Sequence, residues 1–298
     1  MSWYVLVYSS NSKIHSMLEE VTPLILTFNE SPNIDRTLQN LTWAKRIVVV
    51  DSYSNDTTIE ILESYSQVEL FQREFDTFAN QCNYGLEQVK TEWVLSLDAD
   101  YIVTDELIAE INALPKDSLV DGYFAPFKYC IFGKPLRATL LPPRQVLYRR
   151  EKATYDDDGH AHRLRVNGNS ALLSSYIHHD DRKPLTRWLW AQDRYMIIEA
   201  KKLLETPESE LNVGDRIRRK QILAPFVILF YCLILNKGIL DGWAGWYYAL
   251  QRMLAEILLS IRLIESQRLH QYTNKSRIDA EISPTPLTKG GEQRLTQA

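Results

Sequence analysis

Between Val21 and Ala113 the chain alternates between two hydrophobic patterns. Val21-Thr22-Pro23-Leu24-Ile25-Leu26-Thr27-Phe28 and Arg46-Ile47-Val48-Val49-Val50 are near-continuous apolar runs, as expected for strands buried on both faces. Val68–Phe71 and Trp93–Leu97 read the same way. Asn33–Leu41, Thr57–Tyr65, Phe75–Val89 and Asp105–Ala113 carry apolar residues at helical spacing. This alternation predicts a parallel sheet with crossover helices. Met1–Tyr8 lacks the basic start and long apolar core of a signal peptide and reads as a first or edge strand.

After about residue 118 the rhythm changes. Gly122–Phe132 and Gln145–Tyr148 predict an antiparallel extension of the sheet, and Thr186–Leu204 a long amphipathic helix. Ile222–Leu235 is apolar throughout but only 14 residues long. A spanning helix needs about 20 residues, so this run is expected to be re-entrant, interfacial or buried. Arg216, Arg218, Arg219 and Lys220 precede it, and Trp243, Trp246, Tyr247 and Tyr248 follow. Basic and aromatic flanks fit a membrane interface; a buried helix pair is the alternative. The residues from Thr273 are polar with scattered Pro and Gly and read as a tail. The expected organisation is an α/β domain over 1–210, a helical membrane-facing region over 211–272 and a tail over 273–298.

Composition narrows the classes. A hydrophobic share of 45% in 298 residues supports a sizeable core, and a net charge of -4 argues against nucleic-acid binding. Cys82, Cys130 and Cys232 are odd in number and far apart, with neither zinc spacing nor a disulfide framework. A reducing, cytoplasmic setting is the expectation.

Acidic residues follow three of the four predicted strands: Glu30, Asp51, and the pair Asp98 and Asp100. In a parallel sheet those strand ends share one edge, where open α/β sheets place their ligands. Two carboxylates at this spacing supply oxygen to a hard cation such as Mg²⁺ or Mn²⁺. Such an ion neutralises the charge on a departing diphosphate. Singly, each acid has a plainer reading: a solvated turn for Asp98-Ala99-Asp100, and helix caps for Glu30 and Asp51. Asp56, in Ser54-Asn55-Asp56-Thr57-Thr58, is expected to be a cap.

Pro23–Glu30, Val48–Thr58 and Leu97-Asp98-Ala99-Asp100 together resemble the three signatures of the GT-A family 2 glycosyltransferases. Within that family the chain resembles the bacterial lipopolysaccharide-core glucosyltransferase-like branch. The similarity covers roughly residues 20 to 205 and extends weakly to about 265. It implies a mixed, mostly parallel sheet flanked by helices. It also implies inverting transfer of a sugar from a nucleotide-diphosphate donor, a UDP-sugar for preference, to a hydroxyl of a glycan or glycolipid. Position by position, Asp51 would accept a hydrogen bond from the base, and Thr27, Asn29 and Glu30 would line the base and ribose pocket. Asp100, with Asp98, would hold Mg²⁺ or Mn²⁺ on the diphosphate. His179, in His178-His179-Asp180-Asp181, resembles a late metal-ligating histidine, with a surface turn as the alternative. Arg182 and Lys183 are placed to neutralise diphosphate charge.

The general base is where the chain departs from the pattern. Relatives often carry a His-Glu pair, whereas Tyr155-Asp156-Asp157-Asp158-Gly159-His160-Ala161-His162 has no Glu. Asp156, Asp157, Asp158, His160 and His162 are all candidate bases, with Asp158 and His160 favoured; an acidic turn is the plainer reading. Without the Glu, a polyprenyl-phosphate sugar transferase stays in view, because a phosphate nucleophile needs no strong base. A non-catalytic nucleotide-sugar-binding scaffold at a membrane is the rival from another class. The expected location is the inner face of the cell membrane, peripheral or monotopic, with a homo-oligomer open.

Overall fold

The computed structural model describes residues 16–116, 118–158 and 161–282. Met1–Tyr8 lies outside them. Strands and helices alternate from the start: β1 (Val21–Thr27), α1 (Ile34–Gln39), β2 (Ile47–Asp51), α2 (Thr58–Glu63), β3 (Val68–Gln72), α3 (Phe78–Gln88) and β4 (Trp93–Asp98). Then come β5 (Tyr101–Val103), α4 (Asp105–Asn112), β6 (Val120–Ala125), β7 (Phe127–Ile131), β8 (Lys134–Pro135) and β9 (Arg144–Arg149). β10 (Ala153–Asp158), β11 (Ala161–Val166), β12 (Asn169–Leu172) and β13 (Ile177–His179) complete the strands. The chain ends in α5 (Leu185–Glu205), α6 (Val213–Arg219), α7 (Leu223–Phe230) and α8 (Trp243–Ile282).

The main sheet has the order β12-β6-β9-β4-β1-β2-β3. β4, β1, β2 and β3 are parallel, and β9 runs antiparallel between β4 and β6. The apolar runs explain the centre. Leu24, Ile25, Val48, Val49, Val94 and Leu95 are at most 2% exposed, so both sheet faces are dry. Gly85 lets α3 lie on β1, since a Cβ there would stand 2.5 Å from the Leu24 side chain. The expected single strand over Gly122–Phe132 is two, because Pro126 cannot donate to a ladder and the chain changes sheets there. Its second half joins a small sheet of order β5-β13-β7-β8. The acidic run of Asp156 to Asp158 lies on a strand of the β10–β11 hairpin rather than in a turn.

The chain forms two compact units, one from the described parts of 1–188 with 230–249, the other from 189–229 with 250–298. The first unit breaks after Trp188, within α5, and takes up Phe230–Ala249 again. Asp241 anchors that return: it accepts from Arg137 Nη1 at 2.5 Å and from the Arg137 amide at 2.8 Å. α8 also runs through the expected tail as far as Ile282, since the first helix breaker after Thr273 is Pro284. In the second unit, Ala200, Leu203, Leu211, Leu259 and Leu263 form a small core. Two of the arginines expected at a membrane turn inward there. Arg218 pairs with buried Glu256 at 2.9 Å, and Arg219 donates to the carbonyls of Leu203 and Thr206. Among the described residues no helix is long and apolar enough to cross a membrane.

Candidate active site

The carboxyl ends of β1 and β2 are stitched together by side chains. Asp51 is fully buried; it accepts from Thr27 Oγ1 at 2.8 Å, from Ser54 Oγ at 2.5 Å and from the Ser54 amide at 2.7 Å. These three bonds fix its carboxylate in the crevice floor and leave part of its acceptor capacity unused. The Asn29 amide donates to Ser54 Oγ, and Asn29 Oδ1 accepts from the Asn55 amide. Asn29 and Tyr53 both have left-handed backbones, with φ of 55° and 58°. Non-glycine residues hold that conformation where surrounding structure over-determines it, commonly at functional sites. Asp56, expected to be a cap, lies one residue before the N-cap Thr57 of α2 and accepts from the Thr58 amide at 3.0 Å.

Phe28, Tyr53, Phe75 and Phe78 follow the ends of β1, β2 and β3, and each is more than 40% exposed. Phe75 and Phe78 stack edge to face at 5.0 Å. Sequence reasoning missed this rim. The available signal was an aromatic residue just beyond each apolar run, where the core has already ended.

β4 carries the acidic pair to the same edge, and its two members part. Asp98 is exposed, with Arg144 3.7 Å away, and it receives the Tyr101 hydroxyl. Asp100, beyond the turn, is buried, and its Oδ2 meets His179 Nε2 at 3.1 Å. Of the expected ligands Asp98, Asp100 and His179, the last two meet directly, while Asp98 closes β4 and Asp100 lies past it in the turn that ends the strand's alternation. Among the described residues no three His, Cys, Asp or Glu side chains gather to hold a metal ion. Asp100 and His179 nevertheless fit one. Asp100 Oδ1 and His179 Nδ1 are buried with no hydrogen-bond partner among the described residues, a cost that an ion's coordination sphere and its second shell would remove. Substrate phosphates and water ordinarily complete such a shell. Burial would push the Asp100 carboxyl up, but the facing imidazole outweighs it and holds it below its ordinary value. Burial would likewise lower His179, and Asp100 outweighs that and raises it.

Asn33 is the hub that sequence reasoning missed. Fully buried before α1, it donates to Glu30 Oε2 at 3.0 Å and Asp181 Oδ1 at 2.9 Å. Its Oδ1 accepts from Arg36 and from the Arg182 amide. Asn looks like an ordinary helix start in the sequence; only the fold shows four partners. Lys183 Nζ meets Glu30 Oε1 at 2.5 Å. Burial would depress Lys183, but Glu30, Asp181 and Asp100 raise it, so the ammonium stays charged. Burial dominates at Glu30 and lifts its carboxyl above the ordinary value against the pull of Lys183. Arg182, expected at the donor, instead grips Asp180 through Nε and Nη2, at 3.0 and 2.7 Å. Lys183 is the cation beside Asp100.

The candidate bases are only partly placed. His160 lies outside the described residues. Asp158 closes β10 opposite Ala161, and His162 stands opposite Asp157. Tyr155 donates its hydroxyl to Ser96 Oγ at 3.0 Å, and Asp157, two residues on, shares that side of the strand. Asp156 is taken by Arg165.

This arrangement defines the class: a mixed α/β sheet of GT-A type with a crevice at its parallel strand ends. The chain belongs to glycosyl transferase family 2, whose model matches residues 24–173. It is similar to the lipopolysaccharide core biosynthesis glycosyltransferase LpsC of Rhizobium meliloti, at 24% identity over 85% of this chain and 95% of that one. Other curated relatives are matched over only 28% to 39% of their length. Among solved structures it is similar to Staphylococcus aureus TarS with UDP-GlcNAc, at 17% identity and a TM-score of 0.45, covering 84% of this chain and 92% of that one. It is also similar to glucosyl-3-phosphoglycerate synthase from Mycobacterium tuberculosis with Mn²⁺ and UDP, at 15% identity and a TM-score of 0.42, covering 63% and 81%.

Proposed function

We propose that the protein is an inverting, metal-assisted glycosyltransferase that moves a sugar from a UDP-sugar to a hydroxyl of a glycan or lipid-linked acceptor. The observation that carries this reading is the Asp100–His179 pair, with two buried atoms unspent, beside the Lys183–Glu30 pair. Asp100 and His179 would hold Mg²⁺ or Mn²⁺. When bound, that ion supplies Lewis-acid neutralisation of the leaving diphosphate. Lys183 adds a fixed positive charge that needs no reorganisation during reaction. Thr27, Asn29 and the exposed Tyr53 frame the nucleoside. A base on the β10–β11 hairpin, from Asp157, Asp158, His160 or His162, takes the acceptor proton as the hydroxyl attacks the anomeric carbon opposite the diphosphate. Attack from that side inverts the configuration.

Turnover of a panel of UDP-sugars with Mn²⁺, followed by NMR of the product, tests this. An α-linked donor should give a β-linked product. Retention of configuration, or no turnover of any nucleotide sugar, would contradict it. A product that is an acid-labile sugar phosphodiester would move the acceptor from a hydroxyl to a polyprenyl phosphate.

A further inference from the structure

The returning segment of the first unit has two distinct sides. Cys232, Leu233, Gly238, Ala244 and Tyr248 turn inward. The fold is tight: a Cβ on Gly245 would run into the Gly238 carbonyl oxygen. Tyr231, Leu235, Leu240, Trp243 and Trp246 are left facing out, joined by Phe132 from the β7–β8 turn, all between 40% and 65% exposed. Phe132 packs on Trp243 at 6.3 Å and on Tyr247 at 6.1 Å, so turn and segment form one apolar surface. A patch of this kind marks an interaction site.

Charge says what covers it. From Gln221 to Ala255 the one carboxylate is Asp241, which is 2% exposed and paired with Arg137. Lys134 donates to the Asp241 carbonyl at 2.6 Å, and Lys237 stands exposed within the segment. Asp241 offsets Arg137, so Lys134 and Lys237 are left as uncompensated cations around the aromatics, and Gln221–Ala255 brings no exposed carboxylate, on a chain of net charge -4. A second copy docked symmetrically would set these cations against themselves. An anionic bilayer complements them, and tryptophan and tyrosine favour its interfacial depth. Binding in the plane of that interface needs no spanning helix.

We infer that residues 230–246 with Phe132 form a docking surface for an anionic lipid bilayer. This deepens the transferase reading, on which it rests for its consequence: the acceptor is presented from a membrane. Two ring contacts link this segment to the crevice. Tyr248 packs on Tyr129 at 5.0 Å, and Tyr129 on His179 at 4.8 Å.

The test is flotation of the full chain with phosphatidylcholine vesicles, with and without phosphatidylglycerol, beside calorimetry of UDP binding on the same preparations. The protein should float with the anionic vesicles. Leu240→Ser with Trp243→Ser should cut the bound fraction at least ten-fold, Lys237→Glu should cut it several-fold, and UDP binding should be unchanged in all. Absence of flotation by the unaltered protein would overturn the inference. So would a solution dimer that Leu240→Ser with Trp243→Ser splits into monomers, which would make the face a subunit interface. Flotation without UDP binding would support the docking surface while sinking the transferase reading.

Discussion

Two charged clusters lie side by side and are built from the same residue types, yet one is closed and the other open. Asp180 is closed. It accepts from Arg36 at 2.7 Å, from Arg182 at 2.7 Å and from the Gly133 amide at 3.0 Å, and it is 4% exposed. Asp100 is open, with one oxygen unpartnered and His179 equally unpartnered at Nδ1. The adjacent histidines follow the same division. Burial, then Lys128, lowers His178, whereas Asp100 overcomes burial and raises His179. The contrast teaches that charge and burial alone do not mark function here. What sets the open cluster apart is unspent hydrogen-bonding capacity on two ionisable side chains that face each other.

The sharpest way to break this comparison is to exchange the consequences. Asp100→Asn should lower kcat/KM by on the order of 1,000-fold while leaving the melting temperature within a few degrees of the original, as steady-state kinetics and a thermal melt would show. Asp180→Ala should do the reverse. It strands two arginines and should cost about 3–5 kcal/mol of stability by urea denaturation. If Asp180→Ala left stability intact, the closed cluster would not be the structural one.

Acid should separate the two stability profiles. Burial would raise the Asp180 carboxyl, but Arg182, the Gly133 amide and Arg36 hold it below its ordinary 3.8. Its stabilisation is complete above 3.8 and is lost as pH falls through the folded value, since the unfolded chain takes up the proton first. Urea midpoints should therefore drop below about pH 4 in the original protein, and the same drop should be shallower in Asp180→Asn. Tyr129→Leu, which removes the ring against His179, should weaken Mn²⁺-dependent activity by ~10-fold, as loss of a ligand's outer support does. The smallest effect belongs to the aromatic rim: Tyr53→Ala should raise the donor KM a few-fold with kcat unchanged.

Much of this was legible because it is local. β1 to β4 and the helices between them follow from apolar period, and Glu30, Asp51, Asp98 and Asp100 follow from strand ends sharing an edge. His179 was legible only through family resemblance; its contact with Asp100 spans 79 positions and no spacing announces it. Which of Arg182 and Lys183 is held by Asp180 and which stands near Asp100 was hidden for a related reason. Neighbouring residues after β13 point to different clusters, and a linear reading cannot tell which of two cations is already engaged. Asn33 and the return of Phe230–Ala249 to the first unit were hidden likewise, as both depend on partners far along the chain. The hairpin register that orders Asp157, Asp158 and His162 needed the fold as well, because a one-residue slip reverses every face.

The most direct measurement is titration calorimetry of UDP against the full chain with and without Mn²⁺, alongside Asp100→Asn. Tight binding that requires both the ion and the Asp100 carboxylate is the predicted result. Binding of equal strength in EDTA, or undiminished in Asp100→Asn, would contradict the claim that the open cluster is the metal-diphosphate site.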